Sequence, residues 1–235
     1  MNKRFVLVSI ILGLLTLVSF TVMAQDDVAR EDTVIFDYDR TVADPDNFNP
    51  FTSAGRTNRG NGAHQAMWEP LFILNYETGA IDSWLGVSME SNESLDVWTL
   101  TLREGVMWSD GEAFNADDVV YTIEMLASED GSTLAGSEGL AGVVDSVEKI
   151  DDLTVQFNLT GANPRFQLDF FSVRSTNSVL IMPEHIWSSE DPLTFTFYAE
   201  DGSMPIGTGP YTLTSSETNR WVWDRNDAWW GAEAG

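Results

Sequence analysis

Cysteine is absent from the 235 residues, and histidine occurs only at His64 and His185. Without a thiol there is no disulfide staple, no thiolate nucleophile, no cysteine zinc site and no cysteine-linked lipid anchor; two imidazoles leave little material for histidine chemistry. Positive charge is also scarce. Twelve Lys+Arg face 37 Asp+Glu, for a formal charge of −25 and a pI near 4.1, so the field that gathers phosphate backbones is missing and nucleic-acid partners are disfavoured. What remains is 43% hydrophobic and 11% aromatic with nine tryptophans, a globular composition able to build a core.

The one long apolar run lies at the start. Lys3 and Arg4 precede Phe5 to Val22, and Val22-Met23-Ala24 before Gln25 has the small-residue character of a cleavage site. This pattern predicts a secretory signal peptide over residues 1–24. Gly13, Thr16 and Ser19 dilute the run and Asp26-Asp27 follow at once, which argues against an anchor helix at the lower limit of a bilayer span. Removal of this segment would leave Lys149 as the only lysine, and the acidic excess would keep an exported protein soluble.

Further along, Thr33 to Tyr38 is a β-branched and aromatic run that reads as a strand. A turn-rich stretch follows, from Asp44-Pro45 through Gly55, Asn58 and Gly60-Asn61-Gly62. A short helix is expected from Ala63 to before Pro70, then a short strand over Leu71–Leu74 and another short element over Ser83–Met89. Trp98, Leu100 and Leu102 alternate with Thr99, Thr101 and Arg103, and Leu153, Val155, Phe157 and Leu159 alternate with Thr154, Gln156 and Asn158. Both have the period of a strand buried on one face. Between them Asn115 is placed to cap a helix from Ala116, with Asp117 and Asp118 at its positive end and Val119, Val120, Ile123, Leu126 and Ala127 on one stripe. Ser128–Gly142 reads as a loop. Tyr211-Thr212-Leu213 and Arg220–Arg225 are expected to pair as a hairpin across Ser215–Asn219.

Several blocks in this order resemble family 5 extracellular solute-binding proteins of ABC importers. They are Trp68-Glu69-Pro70-Leu71, Trp98 to Val106, Trp108-Ser109-Asp110-Gly111, Ala116 to Val120, Ile150 to Val155, Ile206 to Tyr211, and Arg225-Asn226-Asp227-Ala228-Trp229-Trp230-Gly231. Trp68 stands where the family often has Tyr or Phe, and no lipobox cysteine is present. The resemblance implies a mixed α/β chain with the fold of a class II periplasmic-binding-protein clamshell. Members are about twice as long, so it further implies the first lobe with its inserted subdomain only, the second lobe being missing. On that layout lobe I is residues 25–68 and 183–235, and residues 69–182 are the inserted subdomain. The implied function is non-enzymatic: an exported, periplasmic or extracellular protein captures short peptides and delivers them to permease subunits at the membrane, with no cofactor and no resident metal. An oligosaccharide ligand is the alternative within the family, and a secreted carboxylate-based hydrolase the alternative outside it.

Most motif residues have structural readings. Trp98, Arg103, Gly105, Trp108, Asp110, Gly111, Asp118, Gly207, Gly209, Tyr211, Asn226 and Trp230 belong to the family blocks, and Trp98, Trp108, Trp229 and Trp230 are assigned to packing. Asp110-Gly111 reads as a turn carboxylate with a permissive glycine. Gly207-Thr208-Gly209-Pro210 lacks the lysine and following helix of a phosphate loop and reads as a tight chain crossing. Asp37, Asp39, Asp44 and Asp46 lack the glycine and closing glutamate of a calcium loop. For the ligand, the segment after the first strand lines the cleft in the family, which by position gives Thr52, Ser53, Gly55, Arg56 and Asn58 as hydrogen-bonding groups for a peptide main chain or sugar hydroxyls. Arg56 is suited either to a bidentate fork on a ligand carboxylate or to a salt bridge with a local aspartate.

Overall fold

The structure is a computed structural model and describes residues 33–35, 44–58, 64–128, 130–137, 139–173 and 178–232. The chain divides into two units, Met1–Asp37 and Tyr38–Gly235. In the first, residues 33–35 are irregular; the signal segment and Phe36–Tyr38, the remainder of the expected first strand, lie outside the described residues, as do Asp37 and Asp39.

In chain order the second unit contains helices α1 (Ser53–Asn58) and α2 (His64–Met67), strands β1 (Phe72–Leu74), β2 (Ile81–Ser83), β3 (Gly86–Ser91) and β4 (Val97–Leu102), and helix α3 (Ala116–Ala127). Helix α4 (Leu140–Val143), strands β5 (Val144–Asp151) and β6 (Thr154–Leu159), a π-helical turn (Gln167–Phe171), strand β7 (Ser172–Val173), helix α5 (Glu184–Trp187), and strands β8 (Tyr211–Glu217) and β9 (Arg220–Arg225) follow.

One layer is a four-stranded sheet in the order β3-β4-β6-β5, antiparallel throughout. Its logic is the sequence alternation. Every second residue of β4 and β6 turns inward, so Trp98 pairs with Phe157 and Leu100 with Val155 across the two strands. Leu100, Val155 and Phe157 are fully buried, and burial of each such side chain contributes about 1.5–3 kcal/mol. Helix α3 packs on β5 and β6 through Val119, Ile123 and Leu126, which are fully buried. Its start is a complete capping box: Asn115 accepts from the Asp117 N–H at 2.7 Å, and Asp118 accepts from the Asn115 N–H at 2.9 Å. These bonds satisfy donors that a helix start otherwise leaves open.

Strand β5 has no counterpart in the sequence reading. Only Val144 and Val147 turn inward, and bulges between Val144 and Ser146 and between Lys149 and Asp151 interrupt its pairing; an extra residue on one strand erases the two-residue period. The stretch Ser128–Gly142, expected as a loop, contains a 3-10 turn at Asp130–Thr133 and helix α4. Both are too short for an apolar stripe to mark them. The β8–β9 hairpin forms as expected but with a tighter turn, its strands running to Glu217 and from Arg220.

A smaller sheet in the order β2-β1-β7 pairs β1 antiparallel with β2 and parallel with β7. Beside it, the 205–210 segment crosses α2 at backbone contact. A Cβ on Gly207 would stand 2.0 Å from the Met67 carbonyl oxygen and one on Gly209 2.8 Å from it, so only glycine fits. The Gly209 N–H donates to Met67 O at 2.9 Å, and the Ser109 N–H to Gly207 O at 2.9 Å. The glycines of this block serve close packing of chain on chain.

Candidate functional site

The segment before α1 is anchored by one buried amide. Asn49 donates through Nδ2 to the carbonyls of Pro192 (2.9 Å) and Phe195 (2.7 Å) and accepts from the Phe51 N–H at 2.9 Å. Helix α1 then lies on this turn. A Cβ on Gly55 would fall 1.8 Å from Asn49 O, so Gly55 is required by the approach. The Thr52 hydroxyl bonds Asn49 O at 3.1 Å and accepts from the Gly55 N–H at 3.3 Å. Two of the five candidate ligand residues, Thr52 and Gly55, thus hold the helix in place.

Ser53 and Arg56 face an open depression of about 410 Å³ that they line with Phe51, Thr57, Thr133 and Ala135. Its walls come from two segments, joined where the Ala135 N–H donates to Phe51 O at 2.8 Å. The Thr57 hydroxyl donates to Ser53 O at 3.1 Å. The volume is at the small end of those that hold organic ligands. Hydroxyls that both donate and accept and one guanidinium suit a polar solute with an anionic end. Asn58 ends α1, and its side chain lies outside the described residues. His64 is likewise undescribed in its side chain, and among the described residues no group of three or more His, Asp or Glu is arranged to hold a metal.

Several of the motif residues gather elsewhere, around two buried carboxylates. Asp118, 3% exposed, accepts from the Asn115 N–H at 2.9 Å, the Trp108 Nε1–H at 3.1 Å and the Glu184 N–H at 2.8 Å. It thereby ties α3, the 108–111 turn and α5 together. Burial raises its carboxyl above the ordinary value, and the bonds from Asn115, Glu184 and Trp108 oppose the rise. Next to it Asp110 accepts from the Glu112 N–H at 3.2 Å and meets His185 Nε2 at 2.9 Å, while Gly111 takes a φ of +97°. That turn and its contact with the imidazole occupy the aspartate without a substrate.

Glu69 is the second centre, and sequence reasoning did not single it out. It is 7% exposed and accepts three indole N–H bonds, from Trp84 (2.7 Å) and Trp229 (3.1 Å) on Oε1 and from Trp230 (2.8 Å) on Oε2. Burial raises its carboxyl above the ordinary value, opposed by bonds from Trp230, Trp84, Thr208 and Trp229. Arg103, whose Nε donates to Trp84 O at 2.6 Å, lies 4.6 Å over the Trp230 ring, a cation–π distance. Asn226 donates to Gly209 O at 3.1 Å. Trp98 packs against Phe166, Gly105 takes a φ of +80°, and Tyr211 is exposed at the start of β8. The available signal was a lone glutamate inside an apolar block, Trp68-Glu69-Pro70-Leu71, in a chain with paired tryptophans near its other end.

Comparison with known proteins puts these blocks in context. Protein XP55 of Streptomyces lividans is 37% identical over 134 residues, covering 57% of this chain and 22% of that protein. The dipeptide-binding protein of Escherichia coli K12 is 28% identical over 245 residues, covering 93% of this chain and 42% of the relative. Among solved structures, the mannohexaose-bound periplasmic oligopeptide-binding protein of Thermotoga maritima aligns with a TM-score of 0.65 at 28% identity, over 82% of this chain and 33% of that one. The chain therefore spans less than half the length of each, and the mixed helix and strand fold is theirs. Residues 76–235 match the family model of the bacterial extracellular solute-binding proteins, family 5 Middle, and the chain belongs to that family.

Proposed function

We propose that this chain takes part in solute capture for an ABC importer, binding short peptides outside the cytoplasmic membrane for delivery to permease subunits, and that it performs no chemistry on them. The observation that carries this reading is the depression beside α1, where Ser53, Arg56, Thr57 and Thr133 border Phe51. A peptide carboxylate suits the guanidinium, and its main chain suits the hydroxyls. The likeness to a dipeptide-binding protein supports the same class. Residues 1–24 act in this proposal as a cleaved export signal, residues 25–68 and 183–235 as lobe I, and 69–182 as its inserted subdomain. A second reading, an oligosaccharide ligand, is favoured by the mannohexaose-bound relative and by the same hydroxyls.

The test is thermal unfolding with pooled di- to pentapeptides, pooled β-linked glycans, or nickel(II). A ligand at 100 times its Kd stabilises by about 2.7 kcal/mol, which moves the midpoint of a chain of this size by roughly 5–10 °C. A shift with peptides that Arg56→Ala abolishes supports the proposal. A shift with glycans or nickel alone refutes the peptide reading, and no shift with any pool refutes capture by this chain.

A further inference from the structure

Beyond Asn226 the chain leaves the β8–β9 hairpin and turns back along the body. Asn226 itself is fixed by its N–H to Pro210 O at 2.7 Å and its Nδ2 to Gly209 O at 3.1 Å. From there the segment reaches the body through side chains. The Trp229 and Trp230 indoles donate to Glu69, and Trp230 packs edge-on against Trp84 at 5.5 Å and beneath Arg103 at 4.6 Å. Gly231 closes under the Trp229 ring, where a Cβ would stand 2.5 Å from ring carbon. Hence one carboxylate, carried on the short link between α2 and β1, gathers three indole donors from residues 84, 229 and 230.

We propose that Glu69 with Trp84, Trp229 and Trp230 is a proton-linked clasp that pins residues 227–232 to the body and lets them open as a unit while Asn226 and the sheets stay in place. The energetics favour such separability. A partly buried indole N–H left without its acceptor is penalised, so removal of the carboxylate acts on the docked segment and not on the β3-β4-β6-β5 core. Proton linkage follows from burial. The carboxyl is held above its ordinary value of 4.5 when docked and returns toward that value once open to water. The docked form therefore binds the proton more tightly: acidification closes the clasp, and rising pH through the docked midpoint loosens it. The Arg103 guanidinium lies across the Trp230 ring from it, and no charged side chain bonds the carboxylate among the described residues. Thr208 supplies a neutral hydroxyl.

The test uses the full chain and two readouts. In a pH titration followed by NMR, the indole N–H signals of Trp84, Trp229 and Trp230 are expected to move together, with one midpoint above 4.5. The indoles of Trp68, bonded to Ile206 O, and Trp221, bonded to Ser216 Oγ, are expected to stay still. Glu69→Gln is expected to erase the common titration. In hydrogen exchange, Glu69→Ala is expected to speed exchange of residues 229–232 at least tenfold with β4 and β6 unchanged. If Glu69→Ala does not fold, Trp230→Phe removes a single donor and is expected to speed the same amides severalfold. Separate or absent indole midpoints, a titration that persists in Glu69→Gln, or unchanged local exchange in the variant that folds would overturn the proposal.

Discussion

Substitution of Gly207 by alanine tests whether the glycines of the 206–211 block exist for chain crossing. The new methyl would stand 2.0 Å from Met67 O and 2.7 Å from its carbonyl carbon. Both neighbours are backbone, so no rotamer relieves the clash, and the two segments must part by roughly 1 Å or more within a close-packed interior. Two bonds depend on their present spacing, Gly209 N–H to Met67 O and Ser109 N–H to Gly207 O, both 2.9 Å. Loss of about 1 kcal/mol for each, with about 1–3 kcal/mol for overpacking, gives a destabilisation of about 3–5 kcal/mol. That is a large share of the roughly 5–15 kcal/mol by which a domain is usually stable. Urea unfolding followed by tryptophan fluorescence measures it, with an unchanged slope as the sign of a folded-state effect. Gly105→Ala is the control. Gly105 has a φ of +80° and open space where its Cβ would be, so that variant carries only the left-handed backbone cost of about 1–2 kcal/mol. A Gly207→Ala loss no larger than that of Gly105→Ala would refute the crossing argument.

Three other outcomes are expected. Leu100→Ala, in the fully buried centre of β4, lowers the unfolding free energy by about 2–5 kcal/mol in the same assay. Asp118 carries a raised carboxyl from burial, so the folded state holds that proton more tightly than the unfolded chain. Stability relative to Asp118→Asn should therefore rise as pH falls from neutral toward 3.8, the ordinary value, and a difference that shrinks over that window would contradict the burial argument. Lys149 bonds Asp117 and Asp152, both at 2.8 Å, with Asp152 well exposed. Lys149→Ala therefore costs less than about 1 kcal/mol in dilute buffer and still less in 1 M salt, as denaturation midpoints at the two ionic strengths would record.

The alternation of Trp98, Leu100 and Leu102 and of Val155, Phe157 and Leu159 was enough to specify β4 and β6, because a strand buried on one face writes its period into adjacent residues. Asn115 and Asp118 likewise marked the start of α3, since capping is a contact between residues three apart. The order of the family blocks also stood in the sequence. What those blocks meet did not. Glu69 and Trp230 are joined by a 2.8 Å bond across 161 positions, and Gly207 is a glycine because of the carbonyl of Met67; nothing near either residue in the chain encodes its partner. The candidate ligand segment divided for the same reason. Thr52, Ser53, Gly55 and Arg56 are equally polar or small by sequence, yet Asn49 takes up Thr52 and Gly55, and the depression is left to Ser53 and Arg56. Local periodicity and capping act over a few residues and are legible one at a time, whereas steric approach and burial of charge are set by segments far apart in sequence and arise only when the chain has folded.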